Sequence, residues 1–336
     1  MTTVLVTGGA GFIGSHTCLE LLNANFDVIV LDNFSNSKAK SIQRIKKVTG
    51  KSIILIEGDV RDKITLTKLF SNHQIDAVMH FAGLKAVSDA EKNPLTYYDN
   101  NVSGSITLVK VMSEFSVKNI VFSSSATVYG FSANKPIPET AALSPFNTYG
   151  HNKRMVEQLL SDIRLADPSW SIALLRYFNP VGAHPSGEIG EDPNGEPNNL
   201  MPYLSQVAVG KREYLNVYGN DYPTVDGTGV RDYIHVVDVA LGHVAALNKL
   251  LKCPSFLTLN LGSGRGYSVL EIVQAFEEST GQKIPYEIVG RRKGDIAIYF
   301  ADASMAKQVL GWSITKTLED ICRDTWFWQT KNPNGY

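Results

Sequence analysis

Tyr149 and Lys153 stand four residues apart in the segment YGHNK, which puts both on one face of a helix. An isolated tyrosine, with a pKa around 10, is a poor base near neutrality. A neighbouring ammonium, or any other positive charge held beside it, favours the phenolate, so Tyr149 can take a proton from an alcohol. A third group is expected in VFSSSATVYG, where a strand gives way to a loop. Ser125 lies nearest that transition and can bond the reacting oxygen. Ser123 or Ser124 can instead face a cofactor, and local sequence leaves open which of the three points inward. A tyrosine–lysine pair alone is common and usually structural, so the chemistry depends on what else the chain carries.

A dinucleotide loop is the needed companion. Gly8, Gly11 and Gly14 occur in VTGGAGFIG, directly after the first strand-like run and at the start of a helix. Lacking Cβ atoms, they permit a tight turn, close approach of pyrophosphate and close helix–sheet packing. The helix N-terminus then offers free N–H groups and a positive dipole end. Asp32 closes the second strand 18 residues past Gly14, placed to accept adenosine ribose hydroxyls and repel a 2′-phosphate. No Arg follows at once, which favours NAD, although Lys38 keeps NADP open. Asp59, in EGDV, is placed to reach the adenine edge or simply to cap its loop. Phe81 closes the fourth strand and Ala82 and Gly83 follow it, where small residues allow close cofactor approach. Lys85 can neutralise phosphate, bind a ribose hydroxyl, or serve surface solubility.

The elements that must hold these groups read as alternating strands and helices. Strands are expected at Thr3–Thr7, Val28–Leu31, Ser52–Glu57, Ala77–Phe81, Asn119–Ser123 and Ser171–Leu175, with helices at Ile13–Asn23 and Tyr149–Leu165. Pro94 can open one long helix carrying Val102, Ile106, Val109 and Met112. Continuous β-branched runs separated by helices predict an α/β fold with a doubly wound, Rossmann-type parallel sheet. Residues 1–179 are expected to form an NAD-binding domain. Composition then changes through a Pro- and Gly-rich loop, and residues 180–336 are expected to form a smaller α/β substrate domain, with possible segments returning to the first. Within it, Val236–Leu247 and Val269–Ser279 read as helical and Thr258–Leu261 as strand-like.

Composition excludes several other classes. The 336 residues are 43% hydrophobic and 19% charged, enough for a large core. Lys and Arg total 32 against 33 acids, so the net charge of -1 offers no general attraction to nucleic acid or anionic membrane. The basic segment Lys38–Lys47 reads as a solvated helix face. Cys18, Cys253 and Cys322 are far apart and fit neither a disulfide framework nor a zinc knuckle, which points to a reducing compartment. The histidines form no ligand-spaced cluster, so no metal is expected. The chain enters a strand at once, without a basic leader, and no apolar stretch approaches the ~20 residues a bilayer span needs. A cytoplasmic protein is the expectation.

Taken together, VTGGAGFIGSH, HFAGLKAV, SSSATVYG, YGHNK, LRYFNPVGAHPSG, NNLMPY and GVRDYIHV resemble the UDP-glucose 4-epimerases of the extended short-chain dehydrogenase/reductase family, over essentially the whole chain. The resemblance implies that Tyr149 is the acid/base, that Lys153 lowers its pKa and binds nicotinamide ribose, and that Ser125 assists. It adds Phe12, Ile13, Asn33, Val60, Asn100, Ser123, Tyr177 and Phe178 to the NAD site. Substrate residues are implied at Asn179, Asn199, Leu200, Asn216, Tyr218, Arg231, Tyr233, Arg292 and Asp295, with Tyr299 narrowing the sugar pocket against an N-acetyl group. Arg231 and Arg292 suit a diphosphate clamp, and Asn179 and Asn199 offer both donors and acceptors.

The implied reaction oxidises C4 of UDP-glucose or UDP-galactose. Tyr149 takes the O4 proton as hydride passes to NAD, the 4-keto sugar rotates, and hydride and proton return to the opposite face. Net redox is zero, so NAD is retained, and a homodimer is implied. A nucleotide-sugar 4,6-dehydratase begins the same way but needs further acid/base groups near C5 and C6. Here the loop reads Ser-Ala-Thr-Val, where that family presents Asp-Glu beside its Thr. An NAD-binding regulatory or structural protein is the non-enzyme alternative, against which Tyr149 and Lys153 are both present.

Overall fold

The computed structural model describes all residues except 1, 133, 134, 196, 198 and 293. Position 198, which opens the NNLMPY motif, therefore lies outside the described residues. The apolar, β-branched runs form six parallel strands in chain order: β1 (Thr3–Thr7), β2 (Asp27–Asp32), β3 (Ile54–Glu57), β4 (Ala77–His80), β5 (Asn119–Ser125) and β6 (Ser171–Tyr177). A seventh, Phe256–Leu261, pairs with the free edge of β6, and the sheet order is Phe256–Leu261, β6, β5, β4, β1, β2, β3. The chain winds outward in both directions from β1. The crevice between the carboxyl ends of β1 and β4 is therefore the topological switch point, where open α/β sheets bind ligands.

Side-chain alternation explains why both faces are covered. Val4 and Val6 point to one face and meet Leu19 and Leu22 of α1 (Phe12–Asn23), Ile42 and Ile45 of α2 (Lys40–Thr49), and Leu247 of the helix Val236–Lys252. Leu5 points to the other, with Leu66 and Leu69 of α3 (Lys63–Asn72) and with Leu108, Met112, Val156 and Leu160. Each fully buried side chain of this kind contributes roughly 1.5–3 kcal/mol.

Two features sharpen or revise the expected elements. Strand Thr258–Leu261, expected within the smaller region, starts at Phe256 and joins the central sheet, preceded by a helix that packs on α1. Pairing there covers backbone that β6 would otherwise leave as an open edge. The single helix expected from Pro94 is instead a short turn, Pro94–Tyr97, a π-helical segment, Tyr98–Ser103, and the helix Gly104–Glu114. The wider π turn brings both Asn100 and Asn101 inward, and such bulges recur at functional sites.

Beyond the sheet, helices Leu200–Ala208, Val269–Thr280 and Leu318–Lys331 share a separate core with Leu215, Val217 and Tyr233. Short ladders tie this part together. Leu215–Tyr218 pairs with Tyr286–Val289, and Val230–Arg231 lies between Tyr267–Ser268 and Ile298–Tyr299.

Candidate active site

Gly8 directly follows β1 with φ +70°, and a Cβ there would lie 2.6 Å from the Ala82 amide nitrogen. The loops after β1 and β4 are thus in contact, and only glycine permits it. A Cβ on Gly14 would lie 2.3 Å from the Gly8 carbonyl oxygen. The first intrahelical bond of α1 runs from Ser15 N–H to Gly11 O, and helix geometry leaves the amides of Phe12, Ile13 and Gly14 without intrahelical carbonyls. That is an anion cradle. Asp32 accepts from the Ala10 and Phe34 amides and from Ser37 Oγ, and so fixes the loop while lining the cavity. These groups fit a dinucleotide: an anion seat at the start of α1, and the Asp32 carboxylate lining the same cavity.

The cavity measures about 390 Å³ and runs from Asp32 past Gly8 and Tyr149 to Arg231 and Arg292. Of the expected cofactor residues, the glycines, Phe12, Ile13, Asn33, Val60, Phe81, Ala82, Gly83, Lys85, Asn100, Tyr177 and Phe178 line it, as do Asn179, Asn199, Leu200 and Tyr233 on the substrate side. Asp59, Ser123, Asn216, Tyr218, Asp295 and Tyr299 do not line it. Asp59 accepts from Asn33 Nδ2 at 2.9 Å and from the Arg61 guanidinium, whose hydrogen bonds hold its carboxyl well below the usual range. Asp295 lies 3.4 Å from Arg231 and 3.2 Å from Arg292, so one carboxylate holds both cations side by side. Tyr218 supports Arg292 from below, its ring centroid 4.4 Å from the guanidinium carbon. Tyr299 donates to Ala126 O at 2.6 Å and its ring packs 5.4 Å from Phe178, which does line the cavity.

Tyr149 and Lys153 lie at the start of the helix Thr148–Ala166, whose N-cap Asn147 accepts the Gly150 amide at 2.8 Å. Such a cap stabilises a helix by about 1 kcal/mol and here fixes where the first turn begins. Both side chains are buried, Tyr149 with 8% and Lys153 with 6% of its surface exposed. Lys153 Nζ donates to Ser123 O at 2.8 Å and lies 5.8 Å from the Tyr149 ring centroid.

The three serines of β5 diverge. Ser124 donates to Glu157 at 2.6 Å, inside a buried Glu157–Arg176 pair. Ser123 bonds Tyr177 and His243. Ser125 alone of the three lines the cavity and hydrogen-bonds Tyr149. Strand alternation followed by the turn at Ala126 decides this, and no local signal in SSS does.

Electrostatics sharpen the role of a cation. Burial pushes the Tyr149 phenol well above its ordinary value, Tyr177 and Tyr97 add to the rise, and the Ser125 hydrogen bond opposes it. Burial also pulls the Lys153 ammonium from 10.5 down to about 8, with Glu157 opposing. The chain alone therefore holds a neutral phenol beside a marginal ammonium. Further positive charge in the cavity is needed before Tyr149 acts as a base.

Several groups in the site went unread in the sequence. Asn101 accepts from Leu84 N at 2.8 Å and donates to Asn152, bracing the π turn against the tyrosine helix. Glu191, Asp192 and Tyr336 line the cavity from segments remote in sequence. Lys38, which left NADP open, is paired with Asp192 at 2.6 Å. The only available signal was the cluster of acids in the Pro- and Gly-rich loop.

Residues 5–325 match the family model described as GDP-mannose 4,6 dehydratase. A UDP-glucose 4-epimerase of Bacillus subtilis (strain 168) is 57% identical over 333 residues, covering 99% of this chain and 98% of that protein. One from Mus musculus is 52% identical over 343 residues, covering 100% and 99%. The crystal structure of UDP-glucose 4-epimerase from Bifidobacterium longum in complex with NAD+ and UDP superposes with a TM-score of 0.96 at 53% identity, covering 100% of both chains.

Proposed function

Since this chain belongs to the UDP-glucose 4-epimerases, within the extended short-chain dehydrogenase/reductase family, we propose that Tyr149 carries the proton, with Lys153 and Ser125 beside it, in the inversion it performs. The chain interconverts UDP-glucose and UDP-galactose at C4, with NAD as its cofactor. NAD, when bound, supplies the hydride acceptor for C4 and gives the hydride back to the other face of the sugar. The glycine cradle seats its pyrophosphate, Asp32 takes the adenosine ribose, and Lys153 reaches the nicotinamide ribose.

Tyr149 accepts the O4 proton while Ser125 holds that oxygen. Arg231 and Arg292 clamp the diphosphate, with Asn179, Asn199, Leu200 and Tyr233 around the nucleotide and Asn216 and Tyr218 at its outer edge. The 4-keto sugar then turns about its anchored diphosphate, and Tyr149 returns the proton. One observation carries the preference over dehydration: Ala126 and Val128, which follow Ser125, are buried in apolar packing, so no carboxylate stands there for a C5–C6 elimination.

Residues 1–179 serve the cofactor and 180–336 the UDP-sugar, with Val236–Leu261 returning to the central sheet. A homodimer through the helices after Pro94 and Tyr149 fits the exposure of Leu95, Met155 and Leu165. A monomeric mass by light scattering would overturn it. Three free cysteines fit a cytoplasmic setting, and among the described residues no helix is long and apolar enough to cross a membrane. The decisive test is purified protein given UDP-galactose without added NAD. UDP-glucose should form with no dehydrated sugar, and failure despite verified bound NAD would reject the assignment.

A further inference from the structure

Glu191 and Asp192 line the cavity that would seat an anionic pyrophosphate, an unfavourable place for two carboxylates. Each is neutralised from the opposite wall. Lys85 Nζ lies 3.0 Å from Glu191 Oε1 and Lys38 Nζ lies 2.6 Å from Asp192 Oδ2. Asn194 Nδ2 adds a bond to Ser35 O at 3.4 Å. Ser35 and Lys38 follow β2 and Lys85 follows β4, so this one segment is pinned on both sides of the switch point.

The same segment is held from behind. Glu188 lies 2.7 Å from Lys47 and 2.7 Å from Lys331. Arg44, on α2, donates to Glu188 O at 3.1 Å and to Asn332, and its guanidinium carbon lies 5.0 Å from the Tyr336 ring centroid. The Tyr336 hydroxyl accepts from Gly190 N at 3.1 Å and lies 3.2 Å from Gly190 O. Gly190 in turn abuts Trp328 so closely that a Cβ would sit 2.4 Å from the indole.

We propose that residues 188–192 and Asn194 form a strap closed across the dinucleotide cavity, which retains NAD, with Arg44, Glu188 and Tyr336 as positioning residues that clasp it. The proposal rests on NAD being the occupant. Each lysine–carboxylate pair is partly solvated and weak alone, but all must part before the cofactor leaves. The strap therefore acts on the release rate of NAD rather than on the chemistry at C4. It also gives the basic face of α2 a purpose beyond solubility, since Arg44 and Lys47 both hold the strap.

The test is the rate at which NAD leaves the loaded holoenzyme, followed by gel filtration at timed intervals and assay of nucleotide remaining on the protein. Arg44→Met and Glu188→Gln should each release NAD about 10-fold faster than wild type, with kcat at saturating NAD within about two-fold. Tyr336→Phe keeps the ring against Arg44 and should release more slowly than Tyr336→Ala. Lys63→Ala, which breaks a comparable ion pair with Glu114 on α3's side of the sheet, should leave release unchanged. Wild-type release should quicken with salt, because the pairs are screened. Should Arg44→Met fail to fold, Glu188→Gln and the salt series carry the same decision. Unaltered release from loaded variants, or salt-insensitive release, overturns the strap. A wild-type protein that neither carries nor takes up NAD overturns the cofactor reading instead.

Discussion

Replacing Lys153 by Met separates its proposed part in catalysis from its effect on the fold. The side chain is 6% exposed, and burial pulls its pKa from 10.5 to about 8. A shift of that size corresponds to about 3 kcal/mol by which the folded chain disfavours the ammonium relative to the neutral amine. Met fills similar space without charge and gives up the bond to Ser123 O, which its better apolar burial roughly offsets. The sign follows from linkage. The folded pKa lies below the unfolded one, so the penalty is fully present below pH 8 and is relieved as pH rises from 8 to 10.5. Lys153→Met should therefore be about 3 kcal/mol more stable than wild type at pH 7 and within about 1 kcal/mol of it at pH 10. Turnover should meanwhile fall about 100-fold, because the phenol loses its neighbouring ammonium. Urea unfolding of both proteins after removal of nucleotide, at pH 7 and pH 10, measures the first quantity and UDP-galactose turnover the second. A variant less stable than wild type at pH 7, or a stability difference that does not move with pH, refutes the reasoning.

Tyr149→Phe keeps the buried ring and removes the proposed proton carrier; turnover should drop roughly 100- to 10,000-fold with unchanged nucleotide content in the purified protein, and near-wild-type turnover rejects the role. Arg231→Met and Arg292→Met each remove a charged hydrogen-bond donor, and calorimetry should show UDP binding about 10- to 100-fold weaker, whereas an unaltered affinity dismisses the clamp. Tyr299→Cys gives up the Ala126 bond and the Phe178 contact, costing about 2–4 kcal/mol of stability, and opens space beside the sugar. The turnover of UDP-N-acetylglucosamine relative to UDP-glucose should rise; a constant ratio sinks the size gate.

What could be read from the sequence were the features written in local pattern. Apolar runs announced the inner strands β1, β2, β4, β5 and β6 because a strand buried on both faces needs continuous apolar residues, and VTGGAGFIG announced the cradle because only glycine tolerates that turn. Tyr149 and Lys153 were legible as a pair because helical periodicity alone puts them on one face.

Tertiary structure decided the rest, wherever a role depends on a partner far along the chain. Ser125 rather than Ser123 or Ser124 enters the cavity because of how β5 turns at Ala126. The seventh strand joins the sheet because β6 leaves a free edge, and Asn100 and Asn101 face inward because the helix widens there by a π turn. Glu191 and Asp192 look like solvated acids in a loop until Lys85 and Lys38 arrive from residues more than a hundred positions earlier. Spacing specifies what lies within a turn or two of a residue, whereas burial and charge pairing across the chain exist only once the sheet has brought its loops together.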